Sequence, residues 1–398
     1  MTTPELPRRA LVLGLARSGE AARAALEARG TEVVVADRKL RNDGDLTLLD
    51  GVDVLVKSPG VPGDEPLPVE ARRRGIPLWS EIELGARLLP NRLVAVTGTN
   101  GKTTTSELLG HMLRAPVAGN VGRALTELVG QIDAVTPVVC EVSSFQLEDV
   151  HEFAPVVAIL LNLEPDHLDR HGTFGAYRDA KLRVFERAGT AVVPRGFGSI
   201  PGSAHRVEFA ADDPLPDEPL IPGAHNRENA AAAAAAARAL GFDEETIGEG
   251  LRTFPGVAHR LEPVGRIGGV RFVNDSKATN TAAARRALAT FDDRLHLILG
   301  GSLKGEQFDE LAQAAAEANV VSAYLIGEAA EPLAVALGSA GVPFQLATTL
   351  ERAVAEAARA AQPGEIVLLS PACASFDQFR DFEQRGEEFR RLVENLAS

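Results

Sequence analysis

Short apolar runs, each followed by a stretch with helical spacing, recur along the whole chain. A short apolar run between turn signals is typical of a buried strand, and strands that alternate with helices are typical of parallel sheets. The alternation therefore predicts an α/β fold of three domains. The predicted strands lie at 10–13, 32–37, 52–56, 76–79, 93–96, 138–142, 158–161, 270–273, 295–299, 323–326 and 366–369.

The most specific segment lies between the predicted strand 93–96 and the helical pattern that follows it. It reads Val96-Thr97-Gly98-Thr99-Asn100-Gly101-Lys102-Thr103-Thr104. A glycine-rich loop in this position points backbone N–H groups at phosphates, while Lys102 reaches the β- and γ-phosphates and the Thr103 hydroxyl binds Mg²⁺. Val96 replaces the first glycine of a strict phosphate loop, so the motif is a variant. The alternative is a simple turn before a helix, but strand, loop and helix in register favour binding of a nucleoside triphosphate.

The three predicted domains are an N-terminal Rossmann-like parallel sheet over 1–91, a central P-loop ATPase-like α/β domain over 92–256 and a C-terminal Rossmann-like α/β domain over 257–398. The segment Phe254-Pro255-Gly256-Val257 indicates a hinge. Beyond it, 264–273 is expected to form a hairpin. Before it, a proline- and acid-rich surface connection at 211–222 leads to eight alanines, which predict a tightly packed helix.

Composition narrows the class of protein. The 398 residues allow two or three domains, and a net charge of −14 argues against a nucleic-acid or anionic-membrane partner. Cys140 and Cys373 do not make a disulfide framework, so a cytoplasmic location is expected. No apolar run is long enough to span a bilayer, and residues 1–10 have no apolar leader core, so membrane insertion is not expected.

Lysine is scarce in this chain. Of the 41 basic residues, six are lysines, namely Lys39, Lys57, Lys102, Lys181, Lys277 and Lys304. Lysine differs from arginine as a compact charge and as an amine that can lose its proton and react. Each lysine is therefore a candidate for a role that a guanidinium cannot fill, although mutational bias with chance survivors is the alternative.

Polar residues follow several of the predicted strands. Glu141 lies within an apolar strand, where a carboxylate is costly unless it is paired or binds a metal. Asp166-His167-Leu168-Asp169 follows the next strand and fits a metal and nucleotide crevice, with a cap-and-turn cluster as the alternative. The turn at Gly14 and the acid Asp37 give a weak signal for NAD or for another nucleotide at the same strand ends. Ser58-Pro59-Gly60 is expected to border that crevice.

Taken together, the motifs resemble those of the Mur ligases of peptidoglycan synthesis, over nearly the whole chain. The motifs that carry the resemblance are 97–103, Glu141-Val142-Ser143-Ser144-Phe145-Gln146-Leu147-Glu148, 166–169, Asn274-Asp275-Ser276-Lys277-Ala278-Thr279-Asn280 and 370–379. The first is shared with folylpolyglutamate synthases. The last two indicate the family member that adds D-glutamate.

The resemblance implies a reaction. ATP phosphorylates the terminal carboxylate of UDP-N-acetylmuramoyl-L-alanine, and the amine of D-glutamate then displaces phosphate. It also implies a cytoplasmic monomer that serves cell wall biogenesis, and through it cell shape, the cell cycle and cell division. The third domain is expected to bind D-glutamate and to close over ATP.

The resemblance also implies the site residues. For ATP they are Gly98, Thr99, Asn100, Gly101, Lys102, Thr103, Thr104, Asn229, Arg260 and Asp275. For the uridine diphosphate they are Ser18, Asp37, Arg38 and Gly60, for the muramoyl group Asn120 and His167, and for D-glutamate Lys277, Thr279, Lys304, Ser375 and Phe382. The expected catalytic residues are Lys102, His167, Lys181, Lys277 and Lys304. Phe382 as a core aromatic and Lys304 as a turn cation are the alternatives.

Two Mg²⁺ ions are implied. Thr103 and Glu141 are expected to hold the first, and His167 the second. Lys181 is expected to be carbamylated, which would make it an anionic oxygen ligand for Mg²⁺. The competing interpretation of Lys181 is a solvated helix lysine.

Three other functions compete with this one. A folylpolyglutamate-type or another Mur-type amino-acid ligase shares the phosphate loop, but the folate enzyme does not explain the N-terminal sheet. An NAD-dependent dehydrogenase would leave Lys102 and Glu141 without a role. A nucleotide-dependent switch protein predicts guanine selectivity, yet the chain has no Asn-Lys-x-Asp motif.

Overall fold

The computed structural model describes residues 6–221, 223–303, 305 and 307–396, and of Asp169 only the backbone. Three sheets covered by helices follow one another along the chain, which confirms the predicted α/β class. The chain divides between Phe254 and Pro255 into two compact units. The first unit contains two of the sheets, so the predicted boundary between 91 and 92 stays a prediction.

The first sheet is parallel, with strand order β2-β1-β3-β4. Its strands are β1 (Arg9–Leu13), β2 (Glu32–Ala36), β3 (Val54–Lys57) and β4 (Leu78–Ser80), and its helices are α1 (Arg17–Glu27), α2 (Pro66–Arg73) and α3 (Glu81–Leu88). Alternate residues of the central strand serve two cores, with Ala10 and Val12 on one face and Leu11 and Leu13 on the other. Because the strands are parallel, the turns after β1 and β3 meet at one edge.

The second sheet is also parallel, with strand order β10-β9-β8-β5-β7-β6. Its strands are β5 (Leu93–Thr97), β6 (Val117–Gly119), β7 (Val138–Glu141), β8 (Val157–Leu160), β9 (Thr190–Pro194) and β10 (His205–Phe209). Its helices are α4 (Lys102–Leu113), α5 (Ser144–Leu147), α6 (Leu168–His171), α7 (Phe174–Leu182), α8 (Ala224–Ala239) and α9 (Glu244–Thr253). The alanine run forms the buried middle of α8 and packs against α4, as predicted.

Two buried glutamates at the start of α3 fasten the first sheet to the second. Glu83 accepts backbone hydrogen bonds from residues 151–153, and its Oε1 also accepts from Arg87 Nε at 2.7 Å. Glu81 Oε1 accepts from both the backbone N and the hydroxyl of Thr126, at 2.7 and 2.8 Å. Burial raises the pKa of Glu81 to about 7. These contacts make the first unit one body.

The third sheet is mixed, with strand order β11-β12-β16-β13-β14-β15. Its strands are β11 (Glu262–Ile267), β12 (Val270–Asn274), β13 (Leu295–Gly300), β14 (Val320–Ile326), β15 (Phe344–Thr348) and β16 (Ile366–Leu369). Its helices are α10 (Thr281–Leu288), α11 (Asp309–Glu317), α12 (Ala330–Ser339), α13 (Leu350–Ala360) and α14 (Phe382–Leu396). Strands β11 and β12 form the predicted antiparallel hairpin, and the other pairs are parallel. Among the described residues, no helix combines the length and the apolar character needed to cross a membrane.

Candidate active site

The predicted phosphate loop connects the end of β5 to the start of α4. Gly101 precedes the helix with φ +82°, a left-handed conformation that favours glycine. A Cβ at this position would lie 2.3 Å from Asn229 Oδ1, so the loop needs glycine for space as well. Asn229 of α8, predicted to bind ATP, thus packs directly against the loop.

The loop is braced by the segment that follows β8. The backbone N of Asn100 donates to Asn162 Oδ1 at 2.8 Å, and its side chain donates to Glu164 Oε2 at 2.9 Å. The backbone N of Thr99 donates to Asn162 O at 3.1 Å. The hydroxyl of Thr99 lies 3.0 Å from that of Tyr177 in α7. The loop conformation is therefore held by hydrogen bonds to Asn162, Glu164 and Tyr177.

Two lysine amines converge on one carbonyl of the loop. Lys102 Nζ donates to Gly98 O at 3.0 Å and to Thr99 O at 2.9 Å. Lys181 Nζ, on α7, donates to the same Gly98 O at 2.7 Å. Lys181 is only 2% exposed, which excludes the interpretation as a solvated helix lysine. Burial, together with the charge of Lys102, lowers the pKa of Lys181 to about 7.

Glu141, at the end of β7, is a buried carboxylate, and one of its two oxygens accepts no hydrogen bond from the described residues. Its Oε1 accepts from Asn120 Nδ2 at 2.9 Å, whereas its buried Oε2 has no hydrogen-bond partner among the described residues. The negative charges of Asp166 and Glu141 raise the pKa of Lys181 and so offset part of the effect of burial. Both carboxylates therefore act on the amine of Lys181. A hard cation is the partner that an orphan carboxylate oxygen suits best.

These residues fit a magnesium site. The described residues contain no cluster of three His, Cys, Asp or Glu side chains that could hold a metal by themselves. Mg²⁺ is usually bound by one or two carboxylates together with phosphates and water, so a single orphan oxygen beside a phosphate loop is the expected donor set. Thr103, the predicted hydroxyl ligand, lies in the first turn of α4.

His167 immediately precedes α6 and has a left-handed backbone, with φ +52°. Its half-exposed ring lies 4.9 Å from the ring of Phe145. The ring of His171 stacks on the ring of Phe145 at 5.3 Å and contacts Ser144 Oγ at 3.0 Å. Burial lowers the pKa of His171. His171 was not among the predicted site residues, although it lies only two residues beyond the motif 166–169.

A separate cavity of about 140 Å³ lies at the edge of the first sheet. Asp37, Arg38 and Gly60, all predicted to hold the uridine diphosphate, are among its lining residues, whereas Ser18 is not. Asp37 Oδ2 accepts from Leu15 N at 2.6 Å and its Oδ1 from the backbone N of residue 39 at 2.8 Å. These hydrogen bonds lower the pKa of Asp37. Asp37 thus shapes the glycine turn in addition to facing the cavity.

In the second unit, the motifs after β12 and β16 are brought together. Asp275 Oδ2 accepts from Ser370 Oγ at 2.8 Å, and its Oδ1 accepts from Leu261 N at 3.2 Å. Burial raises the pKa of Asp275 to about 6. The backbone N of Lys277 donates to His259 O at 3.0 Å, and Phe382 lies 6.3 Å from the ring of His259.

The remaining predicted residues fall within or near the same motifs. Thr279 continues the first motif and Ser375, buried, belongs to the second. The backbone N of Arg260 donates to Val257 O at 3.1 Å, which places Arg260 in the turn before β11. Lys304 lies outside the described residues.

Sequence analysis missed the residue that joins the two motifs of the second unit. Arg385 of α14 is fully buried, donating from Nε to Ser276 Oγ at 2.9 Å and from Nη2 to Ser276 O at 2.8 Å. Its Nη1 donates to the carbonyls of Cys373 and Ala374. Burial lowers the pKa of Arg385 to about 10, which leaves it protonated at neutral pH. Helix α14 contains many charged residues, so nothing in the sequence distinguishes the buried Arg385 from its exposed neighbours.

Known proteins share this arrangement of sheets and motifs. Residues 96–196 match the Mur ligase middle domain, and residues 259–373 match the Mur ligase glutamate ligase domain. The chain is 43% identical to the UDP-N-acetylmuramoylalanine--D-glutamate ligase of Sphingopyxis alaskensis over 98% of both chains. It is 40% identical to the ligase of the same name from Acidobacterium capsulatum, over 97% of this chain and 96% of the relative.

Solved structures show the same fold. The UDP-N-acetylmuramate-alanine ligase of Thermotoga maritima superposes with a TM-score of 0.61 and 20% identity, covering 98% of this chain and 99% of that one. At this identity the similarity concerns the fold alone.

The buried cluster around Arg385 predicts a large effect on stability. Arg385→Met should lower the free energy of unfolding by about 2–4 kcal/mol, because it removes four buried hydrogen bonds donated by one guanidinium. Arg390→Met on the same helix is the matched control. It removes partly exposed ion pairs with Glu262 and Glu387 and should cost about 0–1 kcal/mol. Urea unfolding followed by circular dichroism measures both, and equal losses would contradict the assigned role of Arg385.

Proposed function

The chain belongs to the Mur ligase family, and from that premise we propose that it is the ATP-dependent ligase that adds D-glutamate to UDP-N-acetylmuramoyl-L-alanine in peptidoglycan synthesis. The geometric observation that carries this proposal is the convergence of Lys102 and Lys181 on the phosphate loop at Gly98. The choice of D-glutamate is supported by relatives of that activity, which are about 40% identical over nearly their whole length.

The chemistry explains why cations dominate the proposed site. A carboxylate oxygen of the substrate attacks the γ-phosphorus of ATP, the bond to the β,γ-bridging oxygen breaks, and ADP leaves. The amine of D-glutamate then attacks the acyl carbon, the bond to the phosphate oxygen breaks, and phosphate leaves with a proton released from nitrogen. Two anions must approach each other in the first step, so positive charge is the main catalytic resource.

Within the first unit, the phosphate loop would orient the triphosphate, and Lys102 would neutralise charge that develops on the transferred phosphoryl group. The amine of Lys102 donates to the carbonyls of Gly98 and Thr99 in the loop. It would exchange these hydrogen bonds for hydrogen bonds to a phosphate that binds there. Thr103 and Glu141 would hold one Mg²⁺, and His167 and carbamylated Lys181 the second. Bound Mg²⁺ supplies neutralisation of phosphate charge and orientation of the oxygens around phosphorus.

The substrate contacts are proposed residue by residue. Asp37, Arg38, Gly60 and Ser18 would hold the uridine diphosphate, and Asn120 and His167 the muramoyl group. Asn229, Arg260 and Asp275 would contact the nucleotide. Lys277, Thr279, Lys304, Ser375 and Phe382 would hold D-glutamate, where two amines and hydroxyls match its two carboxylates.

We also propose that the protein works in the cytoplasm as a monomer, without a nucleic-acid partner and without membrane insertion. The net charge of −14 argues against a nucleic-acid partner, and two buried cysteines in a chain of 398 residues fit a reducing compartment.

The activity itself is tested by phosphate release from ATP in the presence of UDP-N-acetylmuramoyl-L-alanine and one acceptor at a time. D-glutamate should support turnover, whereas L-glutamate, a diamino acid and a folate substrate should not. Lys102→Ala should reduce kcat by about a thousandfold or more without unfolding the chain, since it removes charge stabilisation in the transition state. Arg92→Ala, an exposed cation at the other end of β5, is the matched control and should retain activity. A requirement for folate or a diamino acid would contradict the proposal.

The carbamate at Lys181 is tested by its pH dependence. Only the neutral amine takes up CO₂, and a pKa of about 7 makes this form abundant from neutral pH upwards. ¹³CO₂ should therefore give a carbamate resonance in ¹³C NMR that fades as the pH falls below about 7. The resonance and most activity should be lost in Lys181→Arg, because a guanidinium stays protonated, but not in the control Lys39→Arg, an exposed lysine. Full activity in Lys181→Arg would refute the carbamate.

A further inference from the structure

The loop Ser58–Val61, which follows β3, is held by a side chain that packs on the second sheet. Arg170 Nη1 donates to Pro59 O at 2.7 Å, and its Nη2 donates to Val61 O at 3.1 Å. The loop also contains Gly60, which lines the cavity beside Asp37 and Arg38. The predicted uridine diphosphate end of the site is therefore tied to α6 by one guanidinium.

Arg170 is itself fixed in place. Its Cζ lies 4.2 Å above the ring of Phe145, and Nη2 lies 3.3 Å from Glu148 Oε2. The other oxygen of Glu148 lies 3.5 Å from His171 Nδ1. A planar fork that stacks on a ring and donates to two carbonyls is a geometry that lysine cannot reproduce.

A second cation, Lys57, also binds this loop. Lys57 Nζ donates to Val61 O at 3.1 Å and pairs with Asp149 Oδ2 at 3.1 Å, and this pair is buried. Val61 O thus accepts from a lysine of the first sheet and from an arginine of the second. Lys57 is one of the six lysines, and the proposed chemistry gives it no other role.

The position of Arg170 along the chain connects the two ends of the proposed substrate site. His167, which we place at the reacting end, caps the helix whose third residue is Arg170. One short helix thus follows His167 directly and holds the proposed uridine diphosphate loop through its third residue. A displacement of the loop relative to His167 would require the bonds of Arg170 to break.

We propose that Arg170 is a positioning residue that fixes the distance between the uridine diphosphate loop and the reacting carboxylate. When the uridine diphosphate end of the substrate binds the loop, Arg170 keeps that loop at a fixed distance from the reacting end. The binding energy of the nucleotide then helps to position the carboxylate for phosphorylation. Remote binding energy is used in this way when both ends of a substrate are held by one rigid frame. The inference rests on the proposed function, because it assigns a role within that substrate site.

The test compares the full substrate with a truncated one, N-acetylmuramoyl-L-alanine 1-phosphate, which lacks the uridylyl group. In the wild type, kcat should be much higher with the full substrate. In Arg170→Lys, kcat with the full substrate should fall by about ten- to a hundredfold. The kcat with the truncated substrate should stay within about twofold, because that substrate never used the connection. The KM values for ATP and D-glutamate should not change.

Arg183→Lys is the matched control. Arg183 also donates to two backbone carbonyls, those of Glu148 and Val150. Both carbonyls lie between β7 and β8 of the second sheet, so Arg183 does not contact the loop after β3 through them. It should leave the ratio of the two kcat values unchanged. Glu148→Gln, which removes one partner of Arg170 at constant volume, should shift the ratio in the same direction by a smaller factor.

The outcomes separate the two proposals. If the wild type does not use the full substrate with D-glutamate, the proposed function fails. If it does, but Arg170→Lys lowers kcat equally with both substrates or changes neither, Arg170 has a local structural role and the positioning inference is overturned. A melting temperature for each variant shows that folded protein is compared, and Glu148→Gln serves as the deciding variant if Arg170→Lys does not fold.

Discussion

The contact on which the candidate site depends is the hydrogen bond from the buried amine of Lys181 to the carbonyl of Gly98. A second amine, Lys102, donates to the same oxygen, so two like charges meet where water is largely excluded. Burial and, as the second cause, repulsion from Lys102 lower the pKa of Lys181. The two proposed roles, binding of an anion by Lys102 and carbamylation of Lys181, both depend on this contact.

In the first unit, buried polar contacts join the first sheet to the second, and we call the two joined sheets the frame of the site. Glu81 and Glu83 at the start of α3 accept hydrogen bonds from loops of the second sheet, and the Lys57–Asp149 pair and Arg170 hold the loop after β3. Buried carboxylates and cations are costly, so these contacts specify one arrangement and add little net stability. The proposed positioning of the substrate relative to the phosphate loop depends on this frame.

Sequence patterns predicted most of the strands that lie inside the sheets, because buried strands such as β3 and β16 are continuous apolar runs. They did not predict β6, which is short, β9, or the edge strands β10 and β15, whose residues are largely exposed or polar. In the site, the phosphate-loop motif pointed to Lys102, the apolar strand around Glu141 pointed to that carboxylate, and the family resemblance with the scarcity of lysine pointed to Lys181. Their roles stay predictions. Arg385 and Arg170 were not identified, because their importance lies in carbonyl partners that only tertiary structure brings near.

The central claim is that the phosphate loop directs the γ-phosphate of ATP onto a substrate carboxylate before the amide bond forms. Transfer of an oxygen label tests this claim most directly, because an acyl phosphate leaves one carboxylate oxygen on the released phosphate. With UDP-N-acetylmuramoyl-L-alanine labelled with ¹⁸O in its terminal carboxylate, one ¹⁸O atom should appear in each phosphate released during ligation of D-glutamate. Unlabelled phosphate formed together with the amide product would contradict the account.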